Sequence, residues 1–423
     1  MTFDELADYL YNLPRVTKKN TPEDSDAFYT FLGRPSEQRQ IVHIAGTNGK
    51  GSTAVYIESI LREAGYSVGL FTSPHLVSMT ERMRVDGCDI SQADFMEVYE
   101  AIAATLAIYQ KEHDYTPTFF EWMFFIAMLW YEKKGPKVVI LETGLGGRLD
   151  TTNLVRNKAI TVITKIALDH TQYLGNTLEE IAVEKAGIMH PGVPAVLYAG
   201  DPGATRTLWE WAKIMKSPAY LLPVPNEISV EEEGISFDYD FHFYGSKKIT
   251  LKTRALYQAE NANLALKAGE ILLGKQLTVS LAREALTHAF WPCRMEEVAP
   301  HVYVDGGHNP DGVEAFLKSA ATISGEKHLL FSAVEDKNFG NMISQIVESK
   351  LFTRIVLTSV GGKRAANPEE LQAAAGENAV YVENPMEAFR ELVQEQGSST
   401  LFVAGSLYLA GVVKKYYKEA SND

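Results

Sequence analysis

The segment Ala45–Thr53, AGTNGKGST, constrains this chain more than any other. It stands between an apolar run, IVHIAGT at 41–47, and a helical pattern from about Lys50 to Ala64. Glycines let a backbone turn its N–H groups inward around phosphate oxygens. The helix N-terminus adds partial positive charge, and a lysine in the turn reaches the terminal phosphates. Lys50 is placed for that role, and a hydroxyl from Ser52 or Thr53 can face Mg2+ or a phosphate. The spacing departs from the common GxxxxGK[ST] pattern. Ile44 occupies the first glycine position, and Gly51 stands where Ser or Thr would follow the lysine. Strand, glycine turn, lysine and helix together predict a phosphate-binding loop.

Around it, strand and helix alternate. Ala54, Ile57, Leu61 and Ala64 share one helix face, and Gly65 sits where a C-terminal cap belongs. Apolar runs at 67–73, 137–143, 159–165 and 194–199 read as further strands. Continuous apolar strands separated by helices predict a parallel sheet covered on both faces. The segment 228–255 differs: Ile235, Phe237, Tyr239, Phe241 and Phe243 alternate, which predicts a small antiparallel meander with one wet side. Helical stretches follow at 257–273 and 278–290, and Pro292 then breaks the pattern. From 301 the alternation restarts with five strand candidates, a second α/β domain of Rossmann-like type. The boundary falls at 292–299, dividing the chain into 1–295 and 296–423.

The length of 423 residues agrees with two to three domains. With 40 Lys+Arg against 54 Asp+Glu, the formal charge is −14. Such a chain is a poor candidate for wrapping nucleic acid or holding anionic lipid. Its greasiest stretch, Trp122–Tyr131, is about half a membrane span and reads as a buried helix. Cys88 and Cys293 are the two cysteines, which excludes a disulfide framework and suits a reducing cytoplasm.

Further polar residues collect at strand ends, where a parallel sheet opens its ligand crevice. Ser73 lies in TSPHL, well placed for a metal or its water. Glu142 ends an apolar strand, where a carboxylate is costly unless paired or on a metal. After it come Gly144, Gly146 and Gly147, then Arg148, Asp150, Thr152 and Asn153. Asp169 and His170 follow another strand, and the next helix carries Glu184 and Lys185. In the second domain DGGHNPDG (305–312) brings Asp305 and His308 to a strand end, and SAVEDKN brings Asp336 and Lys337 to the next.

These segments, in order from GTNGKGS through TSPHL, ETGLGGRLDTTN, LDHTQYLGNTLEEIAVEKAGI, WPCRME, DGGHNP and SAVEDK to AGSLYL, resemble the folylpolyglutamate synthase/dihydrofolate synthase family of the Mur ligase superfamily. The resemblance implies an N-terminal P-loop domain, a C-terminal α/β domain, and ATP and acceptor in the cleft between them. It implies that Thr47, Asn48, Gly49, Lys50, Gly51, Ser52 and Thr53 hold the ATP phosphates. By the same resemblance Ser73, Glu142 and His170 are magnesium ligands, with two Mg2+ sites expected, and Lys185 matches a lysine carbamylated in some members. Asn261 and Arg294 are implied nucleotide contacts, with Asp305 reaching the nucleotide from the second domain and His308 near the glutamate chemistry. Thr118, Phe119, Phe120 and Glu121, with Leu149, Asp150 and Thr151, match segments lining the pterin pocket. Three features depart from the family pattern: Cys293 where WPGR is usual, Gly307 where Ala is common, and KNTPEDSD near the N-terminus in place of LGLERV.

The reaction so implied is ATP-dependent ligation of L-glutamate to the γ-carboxyl of a folate through an acyl phosphate. The catalytic candidates are Lys50, His170, Lys185 and His308. Expected partners are small molecules alone, with the chain a cytoplasmic monomer. Rival readings are dihydrofolate synthase, a bifunctional enzyme, a muropeptide ligase, or a P-loop switch, although no NKxD guanine-reading motif is present.

Overall fold

The computed structural model describes residues 1–14, 20–334, 338–359 and 366–420. Strands β1 (Gln40–Ala45), β2 (Val68–Phe71), β3 (Met83–Val85), β4 (Cys88–Asp89), β5 (Val138–Glu142), β6 (Lys158–Ile163), β7 (Ala195–Ala199) and β8 (Ala219–Pro223) form one sheet. Its order is β4-β3-β2-β5-β1-β6-β7-β8. The six strands from β2 to β8 in that order run parallel, and β3 and β4 are added antiparallel at one edge. The chain leaves β1 toward β2 and β5 on one side, then crosses to β6 and β7 on the other. The C-terminal end of β1 is therefore a topological switch point, the place where open α/β sheets bind ligands.

Period-two side-chain alternation divides the core across this sheet. Val42 and Ile44 of β1 pack with the helices Lys50–Glu63 and Gln258–Leu273. Ile41 faces the other way, into a cluster with the helices Gln92–Tyr109 and Phe119–Lys134. The latter helix buries Trp122 through Met128, as its apolar run predicts, and ends in a left-handed Gly135.

The meander is three antiparallel strands, β9 (Ile228–Glu231), β10 (Gly234–Phe241) and β11 (Gly245–Leu251). Ile235, Phe237, Tyr239 and Phe241 are buried, but Phe243 is 46% exposed. The strand stops at Phe241, so the alternation does not carry Phe243 into the core.

A second sheet joins β12 (Glu296–Ala299), β13 (Val302–Val304), β14 (Lys327–Phe331), β15 (Arg354–Thr358), β16 (Val380–Val382) and β17 (Thr400–Ala404), in the order β12-β13-β17-β14-β15-β16. Only β12 runs antiparallel to its neighbour. All five strands expected after 301 are present, and β12 precedes them. Cys293 sits just before β12 with φ 56°. That is the left-handed region, which accounts for the glycine usual at this position.

Candidate active site

The phosphate loop is pinned from below by the segment after β6. Thr47 N and Asn48 N donate to Lys165 O (2.8 and 3.3 Å), and Thr47 Oγ1 donates to Ala167 O at 3.0 Å. Gly49 has φ 89°, and a Cβ there would stand 2.1 Å from Asn261 Oδ1. Gly51 is packed under Trp291, whose ring would lie 2.9 Å from a Cβ. This contact explains the missing Ser/Thr after the lysine. Ser52 is buried, and its Oγ accepts from Gln258 Nε2 at 3.2 Å. Thr53 is buried one position further into the helix.

Lys50 Nζ curls back to donate to Gly46 O and Thr47 O, both at 3.1 Å. Lys185 Nζ, fully inside, donates to the same Gly46 carbonyl at 2.8 Å. Burial, then the nearby Lys50 charge, lowers the Lys185 amine from 10.5 to about 7. Glu142 lies level with Ile44 in the register of β5 against β1, at the mouth of the loop. Burial raises its pKa, while Lys50, the Ser73 N–H, Arg294 and Arg82 pull the other way. Ser73 meets it through the backbone, N to Oε2 at 3.0 Å.

His170 caps the short turn Thr171–Leu174 with φ 49°, its Nε2 4.0 Å from Asp169 Oδ1. Among the described residues no three His, Cys, Asp or Glu side chains gather as a metal-binding group. The donors present still fit Mg2+. A buried carboxylate beside a phosphate loop leaves most of an octahedron to water and phosphate oxygens, the usual pattern for that ion.

From the second domain, Asp305 is buried and accepts from Tyr257 OH (2.5 Å), Met295 N (3.0 Å) and Gly307 N (2.8 Å). Arg294 donates to Cys293 O and lies in electrostatic reach of Asp305 and Glu142 alike. Asn261 Nδ2 donates to Gln258 Oε1 at 2.8 Å under the loop. His308 Nδ1 pairs with Gly306 O at 2.8 Å. Asp336 and Lys337 lie outside the described residues.

The expected acceptor-side residues divide. Thr118 and Glu121 form a capping box: Thr118 Oγ1 accepts from Glu121 N, and Glu121 Oε2 accepts from Thr118 N at 2.6 Å. Glu121 also accepts from Tyr115 OH and Ser25 Oγ, so this buried carboxylate serves the helix start. Asp150 is likewise occupied, receiving Gly144 N, Leu145 N, Thr152 N and Thr152 Oγ1 to shape the glycine loop. Leu149 is exposed and Thr151 half-buried beside it. Phe120 packs under Gly144, and Phe119 stacks on Tyr11 with centroids 5.7 Å apart.

Sequence reasoning missed a polar chain here. Arg82 Nε donates to His75 Nδ1 at 2.7 Å, which leaves the ring proton on Nε2 to meet Tyr11 OH at 2.9 Å. Arg82 also covers the Phe119 ring at 5.2 Å. His75 was in view inside TSPHL, but nothing local signals Arg82 or Tyr11.

Comparison with known proteins agrees with this geometry. Residues 44–269 match the Mur ligase middle domain, and residues 293–407 match the Mur ligase glutamate ligase domain. The chain is 35% identical over 402 residues to the dihydrofolate synthase/folylpolyglutamate synthase of Bacillus subtilis, covering 92% of each chain. It is 27% identical to the folylpolyglutamate synthase of Lacticaseibacillus casei, covering 98% of each. Among solved structures, Mycobacterium tuberculosis folylpolyglutamate synthase complexed with ADP and AMPPCP superimposes with a TM-score of 0.89 at 27% identity, covering 98% of each chain. Escherichia coli FolC in complex with DHPP and ADP gives a TM-score of 0.86 at 29% identity, covering 100% and 99%. The chain belongs to the folylpolyglutamate synthase/dihydrofolate synthase family of the Mur ligase superfamily.

Proposed function

We propose that this chain is an ADP-forming ligase that joins L-glutamate to the γ-carboxyl of a tetrahydrofolate. The observation that carries the reading is the meeting of Lys50, Glu142 and Lys185 at the switch point of the first sheet. A carboxylate is a poor electrophile. Its oxygen attacks the γ-phosphorus of ATP, the bond to ADP breaks, and an acyl phosphate forms. The neutral amine of glutamate then attacks the acyl carbon, phosphate leaves, and one proton is released with the amide.

Lys50 and the loop amides of Asn48 to Ser52 stabilise charge on the transferring phosphoryl group. Asn261 and Arg294 position the nucleotide, and the turn carrying Asp305 and His308 covers it from a domain spanning 296–423. Glu142, Ser73 and His170 would hold Mg2+, which when bound supplies further neutralisation of phosphate charge. A buried lysine lowered to about 7 presents a neutral amine to CO2 in a good fraction of molecules near that pH, and we assign Lys185 as the site where amine plus CO2 gives carbamate and a proton. Incubation with 13C-bicarbonate and observation of a carbamate resonance, lost in Lys185→Met, tests that assignment directly. Phe119, Phe120 and the Leu149–Thr151 turn are proposed to receive the pterin end of the acceptor.

The second reading is that dihydropteroate is also an acceptor, because the B. subtilis relative bears both names. The deciding experiment supplies ATP and glutamate with tetrahydrofolate or dihydropteroate side by side and follows ADP and amide. ADP release indifferent to both acceptors and to glutamate would support a P-loop switch instead. We further propose a cytoplasmic monomer. Both cysteines are unpaired, and no described helix is long and apolar enough to cross a membrane. Light scattering of the purified chain checks the monomer.

A further inference from the structure

The two domains touch at the phosphate loop through a set of side chains that the reading above leaves without a role. Lys165 follows β6. Its backbone carbonyl anchors Thr47 and Asn48, while its Nζ lies 2.6 Å from Asp311 Oδ1 in the second domain. Asp311 Oδ2 accepts from Asn48 Nδ2 at 2.7 Å. Asn309 Oδ1 caps its helix by accepting from Gly312 N at 2.8 Å, which fixes the carboxamide. Its Nδ2 then donates to Asn48 Oδ1 (3.0 Å) and Asp169 Oδ2 (3.1 Å).

We infer that Lys165, Asp311 and Asn309 form a positioning latch that reads the phosphate loop through Asn48 and holds the Asp305–His308 turn against it. One residue, Lys165, grips the loop with its backbone and the second domain with its side chain. Asp311 is a carboxylate at the rim of a site built for phosphates, and Lys165 offsets its charge. The latch therefore links closure to nucleotide. With Lys165 present, Asp311 steadies Asn48 without repelling the phosphates. Without Lys165, the same carboxylate opposes them. Held shut, the two domains keep water from the acyl phosphate.

The charge argument needs only nucleotide binding, and the water-exclusion argument rests on the ligase reading. Two kinds of readout separate them. In the first, ADP affinity is measured by calorimetry for Lys165→Met, Asp311→Asn and the double variant. Lys165→Met is expected to weaken ADP on the order of tenfold, since it leaves Asp311 uncompensated and also bares the half-buried Glu260, whose charge Lys165 offsets as well. Adding Asp311→Asn is expected to restore the part of that loss that Asp311 carries. Additive losses in the double variant would overturn the inference, because a plain packing contact gives no rescue.

Hydrogen exchange supplies a control that does not depend on activity. In the ADP-bound protein, Asp311→Asn should speed exchange in 47–50 and 305–309 together. A change confined to 305–309 would also overturn the latch. In turnover, with glutamate and the acceptor that proves active, Asp311→Asn should release ADP in excess of amide, and tight coupling retained would count against water exclusion. If the wild-type chain makes no amide with any acceptor, the ligase reading fails while the affinity and exchange results still decide the latch.

Discussion

Lys185 has exchanged water for one carbonyl and a neighbouring cation, and its titration carries the cost. Its folded value, about 7, lies below the ordinary 10.5. Between these values the unfolded chain binds the extra proton, so stability rises with pH from about 7 to 10.5. Below 7 both states are charged and the full burial penalty stands. In CO2-free buffer, where Lys185 remains a free amine, Lys185→Met should flatten that rise in a melting series across the window, and a slope equal to wild type would contradict it. Lys50→Ala should cost ~10²-fold or more in turnover with the melting temperature retained, since it removes a charge aimed at transferring phosphate. Near-normal kcat would remove the loop from the chemistry. Lys50 and Glu142 stand in local patterns, a glycine turn and a strand end, whereas Lys185 lies in the last turn of a helix and is marked only by family resemblance. Asn309 and Asp311 lay inside a quoted motif, yet their partner Asn48 is 261 and 263 residues away. Thr118 and Glu121 carried a T-x-x-E capping signal that a reading through family resemblance passed over.

At the scale of elements, the helix Lys50–Glu63 starts on a glycine and meets the helix Gln258–Leu273 along its buried face. Trp291 closes over its first turn, with Arg84 5.4 Å from the indole. Gly51→Ser would restore the hydroxyl that commonly follows the lysine, but its Cβ meets that ring at 2.9 Å. We expect a loss of about 1–3 kcal/mol in denaturant unfolding, the usual cost of overpacking. An unchanged or raised midpoint would show that Trp291 yields freely. The long apolar strands were readable because burial on both faces leaves no other pattern. Strands β3, β4 and β12 have two to four residues each, too few for periodicity to register, and they form because a neighbouring edge accepts them. The helix Pro22–Phe31 falls in the KNTPEDSD departure, where Thr21 and Asp24 cap each other reciprocally.

For the whole molecule, the second sheet has its own interior, in which Phe402 is fully buried against Tyr303, Phe316 and Phe352. Phe402→Ala should cost about 3–5 kcal/mol. In calorimetry it should lower one transition while ADP raises the other. A single transition that both perturbations move together would show that the domains melt as one unit. Pro292 and the return of alternation carry the expectation of a junction at 292–299, whereas the contacts between the first and second sheets depend on how the two folded layers meet. The first sheet has an inheritance of its own. In β1 and β5, Val42, Ile44, Val138 and Ile140 back the phosphate side, and Ile41, Val139 and Leu141 back the layer that holds Phe119 and Tyr11. Alternate residues of two strands thus belong to different tenants. The outer layer can be rewritten, by drift or by grafting from a relative, with the phosphate machinery feeling the shared backbone and the few side chains that reach across, Arg82 toward Glu142 and Phe120 under Gly144. A lineage could change what it accepts while keeping how it activates.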